Sequence, residues 1–159
     1  MKNYNLYLSG PLTGIKDPET VKKFYEAIGY LCNQLGLPTY VPHLNTDPIQ
    51  NPDITPREVF EMDKTQVLNS DVVIAYLGSP SFGVGMELAY AEMHNIPIIL
   101  LYERGKNISR FPRGIPTVIA EIQFNDYEEA LEQLEHFLKQ LKLNRNLPPF
   151  TGHSLSKSG

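Results

Sequence analysis

Two apolar runs, "DVVIAYL" (71–77) and "IPIILLY" (96–102), show no alternation between apolar and polar residues. A strand with one wet face alternates, so strands written this way are covered on both faces. That arises when helices lie on both sides of a mostly parallel sheet. The rest of the chain supplies those helices and further strands in turn. "YNLYLS" (4–9) reads as a first strand stopped by Gly10 and Pro11. "DPETVKKFYEAIGYLCNQLG" (17–36) reads as a helix with Asp17 as N-cap, Pro18 at its first position and Gly36 as its stop. "PTYVP" (38–42) is a short second strand, and "HLNTDPIQNPDI" (43–54) reads as loop because Pro, Asn and Asp crowd it. Loops of that length often cover sites. Thr55, Pro56 and Glu58 write a capping box that opens a helix over 55–70. "TVIAEIQF" (117–124) alternates like a strand near an edge. "DYEEALEQLEHFLKQLK" (126–142) closes the domain, capped by Asn125 or Asp126, with Leu131, Leu134, Phe137, Leu138 and Leu141 on one face. The expected fold is α/β: a single domain with a five-stranded, largely parallel sheet and helices on both faces, flavodoxin-like or Rossmann-like.

At 159 residues and 42% hydrophobic, the chain suffices for one domain with a buried core. We expect that domain over 1–142 and a flexible tail over 143–159, where Pro, Ser, Gly and Asn leave little to bury. A net charge of -4, with no run of Lys or Arg longer than two, argues against a nucleic-acid or membrane surface. The start lacks the apolar core of a signal peptide, and no stretch approaches the roughly 20 apolar residues of a membrane span. The single cysteine, Cys32, excludes a disulfide framework and reads as a packed thiol. A soluble, cytoplasmic protein acting on a small molecule is expected. Phe24, Tyr25 and Tyr30, at helical spacing, read as core, and Asp71 as a structural cap at a strand start.

The chemistry concentrates in "GSPSFGVGMELAYA" (78–91), a loop that becomes a helix with Glu87 near the junction. In such sheets ligands bind outside the carboxyl ends of the strands. Gly83 and Gly85 let backbone N–H groups approach a ligand, and the helix start favours an anion. The plainer alternative is a strand-to-helix turn in which Glu87 complements the helix dipole. The histidines His43, His94, His136 and His153 have no ligand spacing, and neither metal nor cofactor is expected. His94 and His136 read as helix-surface residues; His43, at a strand end, either lines a base pocket or makes a loop hydrogen bond.

The run "DKTQVLNSDVVIAYLGSPSFGVGMELAYA" (63–91), with "LYLSGPLTG" (6–14), resembles the nucleoside 2-deoxyribosyltransferase superfamily, which also contains 2'-deoxynucleoside 5'-monophosphate N-glycosidases. The likeness covers roughly residues 4 to 142. It implies that Glu87 attacks the anomeric carbon, that Tyr7 orients Glu87, and that Asp63, eight residues before Asp71, serves the base or its departure. The chemistry is consistent. Breaking a C1'–N bond develops oxocarbenium character, which a carboxylate stabilises or captures, while a second carboxyl protonates the leaving base.

Ser81 separates two activities. The resemblance implies an acid there in transferases of free nucleosides and a serine in the monophosphate glycosidases. A carboxylate repels a phosphate dianion, whereas a hydroxyl donates to it. Ser81, with the N–H groups of Phe82 to Gly85 and with Gly10 beside the first strand, therefore points to a nucleoside 5'-monophosphate. The transferases end in an aromatic residue, and the tail "FTGHSLSKSG" has none in its final stretch. Against this, the glycosidases carry an arginine after strand one, where "GPLTG" offers Thr13 and, further on, Lys16. The expectation is an N-glycosidase working through a covalent glutamyl-sugar intermediate. Nucleoside 2-deoxyribosyl transfer and a non-catalytic nucleotide-binding module are the alternatives. The resemblance further implies a homodimer or higher homo-oligomer with shared active sites, in which Ser109, with Arg110 beside it, reaches the partner's phosphate; an ordinary surface loop is the other reading.

Overall fold

Local signals decide where the helices begin. In this computed structural model, which describes residues 4–144, Asp17 caps helix α1 (Pro18–Gln34) by accepting the Thr20 N–H at 3.2 Å. Gly36, at φ +72°, turns the chain out of it in a conformation that glycine adopts without strain. Helix α3 (Pro56–Leu68) opens with the expected capping box: Thr55 Oγ1 accepts the Glu58 N–H at 3.3 Å, and Glu58 Oε2 accepts the Thr55 N–H at 2.8 Å. Asp126 caps α6 (Tyr127–Leu143).

These helices pack on strands β1 (Leu6–Ser9), β2 (Thr39–Tyr40), β3 (Val72–Tyr76), β4 (Ile98–Glu103) and β5 (Val118–Phe124). All four pairings are parallel, in the order β2-β1-β3-β4-β5. The central strands β3 and β4 are buried almost throughout, as their unbroken apolar runs require. β2 and β5 are the edge strands, and β5 carries the alternation. Leu6, Leu8, Ile74, Tyr76 and Leu101 face α1 and α6, with Phe24, Ile28 and Leu134 among their neighbours. Tyr7, Val73, Ala75 and Leu100 face α3 and α4 (Phe82–Met93), against Val67, Val84, Leu88 and Ala91. Cys32 lies in the first of these layers, and burial pushes its thiol up to about 11. Asp71 Oδ2 accepts the Asn5 N–H at 2.9 Å, tying the start of β3 to β1.

Three expectations need correction. Residues 43–54 are not all loop: His43–Thr46 forms one helical turn, α2, because Pro42 already has helical backbone and the Thr46 hydroxyl donates to its carbonyl at 3.0 Å. Tyr30 is not core. It is 68% exposed, because five residues carry it well round the helix from Tyr25. The third concerns the start of α4 and is taken up below. The expected tail lies, from residue 145 on, outside the described residues.

Candidate active site

The sheet order reverses between β1 and β3, which lie side by side and send their following helices to opposite faces. In doubly wound sheets a crevice opens at that point. Tyr7 and Ser9 stand on β1 there, two residues apart and on one face of the strand. Glu87 comes from α4, which follows β3, and Asp63 from α3, which precedes it. Topology thus brings Glu87, Tyr7 and Asp63 to one place.

Glu87 is half-buried, and its Oε2 accepts the Ser9 hydroxyl at 2.5 Å. Burial pushes its carboxyl up to about 7; the Asp63 charge adds to the rise, while the Ser9 and Tyr7 hydroxyls oppose it. Asp63 is pushed by burial up to about 6, against the pull of the Tyr40 and Thr46 hydroxyls. Burial, then the charges of Glu87 and Asp63, hold Tyr7 protonated well above the usual phenol range. Among the described residues the Tyr7 hydroxyl nonetheless closes no well-formed hydrogen bond, and neither do the Tyr40 hydroxyl and Asp63 Oδ1. Tyr7 and Tyr40 thus stand close enough to act on Glu87 and Asp63 without closing a well-formed hydrogen bond. The arrangement has the parts of a two-carboxyl glycosyl-transfer site.

α4 begins earlier than its glycines suggest. Ser81 is the N-cap, and its Oγ accepts the Val84 N–H at 3.3 Å, so Gly83 and Gly85 lie in the first turns and Glu87 sits well inside the helix. The Gly85 N–H donates to the Ser81 carbonyl and is not free for a ligand; Phe82 and Gly83, as the first helical residues, have no intrahelical acceptor. Gly10 has a packing reason to be glycine, since a Cβ there would meet the Tyr25 hydroxyl at 2.4 Å. That hydroxyl donates to the Pro11 carbonyl at 2.8 Å and fixes the turn after β1. His43 is buried with Nε2 3.1 Å from Glu26 Oε1, which is the hydrogen-bonding alternative for it. His94 and His136 are exposed.

Ser109 caps α5 (Arg110–Arg113) by accepting the Phe111 N–H at 3.4 Å. It lines a cleft of about 1150 Å³, together with Ser81, Phe82, Ile108 and Phe111. Glu87, Tyr7 and Asp63 do not line this cleft. Among the described residues no three His, Cys, Asp or Glu side chains are grouped to hold a metal ion, and no helix is long and apolar enough to cross a membrane.

Ser9 and Tyr40 escaped the sequence reading. The signal for Ser9 was its place two residues beyond Tyr7 on a strand, which puts both side chains on one face.

Comparison with known proteins adds four findings. A family model described as Nucleoside 2-deoxyribosyltransferase matches residues 6–147. A Thermofilum pendens protein named "Putative 2'-deoxynucleoside 5'-phosphate N-hydrolase 1" is 33% identical over 138 residues, which is 84% of this chain and 94% of that protein. The fold is shared with a Clostridium botulinum CMP N-glycosidase, BcmB, at a TM-score of 0.65 and 23% identity over 84% of this chain and 98% of that one. It is shared as well with a 2-deoxyribosyltransferase of Bacillus psychrosaccharolyticus, at 0.58 and 20% over 80% and 90%. Hydrolase and transferase thus use one architecture, and the fold alone does not choose between them.

Proposed function

The chain belongs to the nucleoside 2-deoxyribosyltransferase family, and on that premise we propose that it is an N-glycosidase cleaving a (2'-deoxy)nucleoside 5'-monophosphate into free base and sugar 5-phosphate. The observation that carries the reading is the meeting of two carboxyls, Glu87 and Asp63, beside Tyr7 at the point where the strand order reverses. In the first step a Glu87 oxygen bonds to C1' as the C1'–N bond breaks. The electron pair leaves with the base, which takes a proton from Asp63. Water then attacks C1', the bond to Glu87 breaks with its pair returning to the carboxylate, and the water's proton goes to Asp63. Two carboxyls suffice for this cycle, without metal or cofactor.

The 5'-phosphate is assigned to the start of α4. The Ser81 hydroxyl keeps its own hydrogen to donate while accepting from Val84, and the Phe82 and Gly83 N–H groups add to a helix end that favours an anion. One observation favours a second reading, base transfer between deoxynucleosides: the turn between β1 and α1 offers Thr13 and Lys16 but no arginine. Incubating the protein with deoxynucleosides, their monophosphates and a second free base, then separating the products, tests both. Base release from monophosphates alone supports hydrolysis. A new nucleoside supports transfer, and no product in any arm leaves a nucleotide-binding module.

The same reading has a second copy of the chain covering the cleft beside Ser109, where Phe82 is 97% and Phe111 90% exposed. A cytoplasmic location goes with it. Light scattering that finds a monomer at working concentration would remove the second copy.

A further inference from the structure

Glu87 lacks the usual means of keeping a buried carboxylate ionised. Among the described residues, what acts on it is its burial, the Ser9 and Tyr7 hydroxyls and the Asp63 charge, and none of these is a cation. Tyr25 on α1 and Tyr40 on β2 also feel its charge, and both are protonated phenols. Any help from these groups comes from neutral donors, and of the two hydroxyls that oppose the rise it is Ser9 that donates a hydrogen bond to Glu87, a short one of 2.5 Å to Oε2. Ser9 is 0% exposed, so no water competes for its hydroxyl. It sits at the end of β1, pinned by its parallel pairing with Ala75.

We propose that Ser9 is the positioning residue for Glu87: its hydroxyl holds Oε2, favours the ionised carboxylate, and leaves Oε1 as the oxygen that meets C1'. This rests on the N-glycosidase reading for its consequence in turnover, but the coupling of Ser9 to Glu87 is testable without it. A donor to the charged form lowers the pKa of a carboxyl, so its removal raises it. The productive form has Glu87 ionised and Asp63 protonated. Raising Glu87 by about one pH unit therefore reduces the productive fraction about tenfold while pH lies below the Glu87 pKa, and not at all once Glu87 is ionised in both proteins.

The test compares wild type, Ser9→Ala and Ser9→Thr. Carbon-13 titration of the Glu87 carboxyl should show its midpoint raised by about one unit in Ser9→Ala and near wild type in Ser9→Thr, which keeps the hydroxyl. On a deoxynucleoside monophosphate, kcat/KM of Ser9→Ala should fall about tenfold at pH 5.5 and recover most of that difference by pH 9. A structural lesion gives a deficit that does not depend on pH. An unmoved midpoint, or a uniform deficit in a folded variant, overturns the proposal. If no substrate turns over in wild type but the midpoint moves as expected, the hydrolase reading fails and the coupling of Ser9 to Glu87 stands. If Ser9→Ala does not fold, Ser9→Cys fills the same space with a weaker donor and should raise the midpoint by a smaller amount; no rise there overturns it equally.

Discussion

The ring of Tyr40 lies parallel to that of Tyr7, with 5.7 Å between centroids and 14° between planes. The stack gathers two phenol hydroxyls at the carboxyl pair. The Tyr40 hydroxyl favours the ionised form of Asp63, which burial pushes up to about 6. In the proposed mechanism turnover needs Asp63 protonated and Glu87 ionised, so kcat/KM should describe a bell with its maximum between the two values, about 6 and about 7. Tyr40→Phe keeps the stack and loses the hydroxyl. Asp63 then holds its proton to higher pH, so the alkaline limb should move up by as much as about one unit. A limb that stays in place, or moves down, contradicts this role for Tyr40.

Glu87→Gln should cost several orders of magnitude in turnover, each factor of ten being about 1.4 kcal/mol of barrier. It should also stabilise the protein at pH 8. The folded state holds this carboxyl at about 7 against an ordinary 4.5, so its contribution to stability is full below 4.5 and lost as pH rises through 7. Glutamine, always neutral, escapes that loss. Urea unfolding should show a gain on the order of 1–3 kcal/mol at pH 8 that vanishes near pH 4.5. A variant less stable than wild type at both pH values would show that ionising Glu87 is not costly to the fold.

Ser81→Asp tests the phosphate assignment without disturbing the helix, because aspartate caps as well as serine. The new carboxylate repels a phosphate dianion and accepts from a free 5'-hydroxyl. The ratio of kcat/KM for monophosphate over nucleoside should fall by at least tenfold, measured side by side on one base. An unchanged ratio places the phosphate elsewhere.

A site shared across two copies makes a complementation test possible. A chain with Glu87→Ala and a chain with both Ser109→Ala and Arg110→Ala are defective in different halves of such a site. In a mixed dimer one site carries both lesions and the other carries none. Random exchange should restore up to about a quarter of wild-type activity. No recovery after proven subunit exchange returns Ser109 to its visible task, the cap of α5.

Those features that depend on neighbours in the chain were legible beforehand. Asp17, Thr55 and Asp126 cap the helices expected of them, since a cap acts over three residues. The runs around Val73 and Leu100 announced burial on both faces, and β5 announced its edge by alternation. Gly83 and Gly85 misled, because glycine is a poor helix former by about 1 kcal/mol. The Ser81 cap and the burial of Val84, Leu88 and Ala91 outweigh that cost. The turn at His43–Thr46 is too short for any periodicity to reveal. Ser9 and Glu87 lie 78 positions apart and meet only because β1 and β3 are adjacent, which no local pattern records. That Glu87, Tyr7 and Asp63 belong together came from family likeness; the fold then sets them side by side.

Ser81 and Glu87 stand on one helix, at its cap and in its sixth position. Six residues of α-helix advance about 9 Å along the axis, and a hydrogen-bonded helix scarcely stretches. The separation between these two groups is therefore that of a fixed caliper, insensitive to how the surrounding loops move. Whatever is gripped at one jaw is presented to the other at a length written into the backbone, and a single inserted residue between them would change both the gap and the direction in which the carboxylate points.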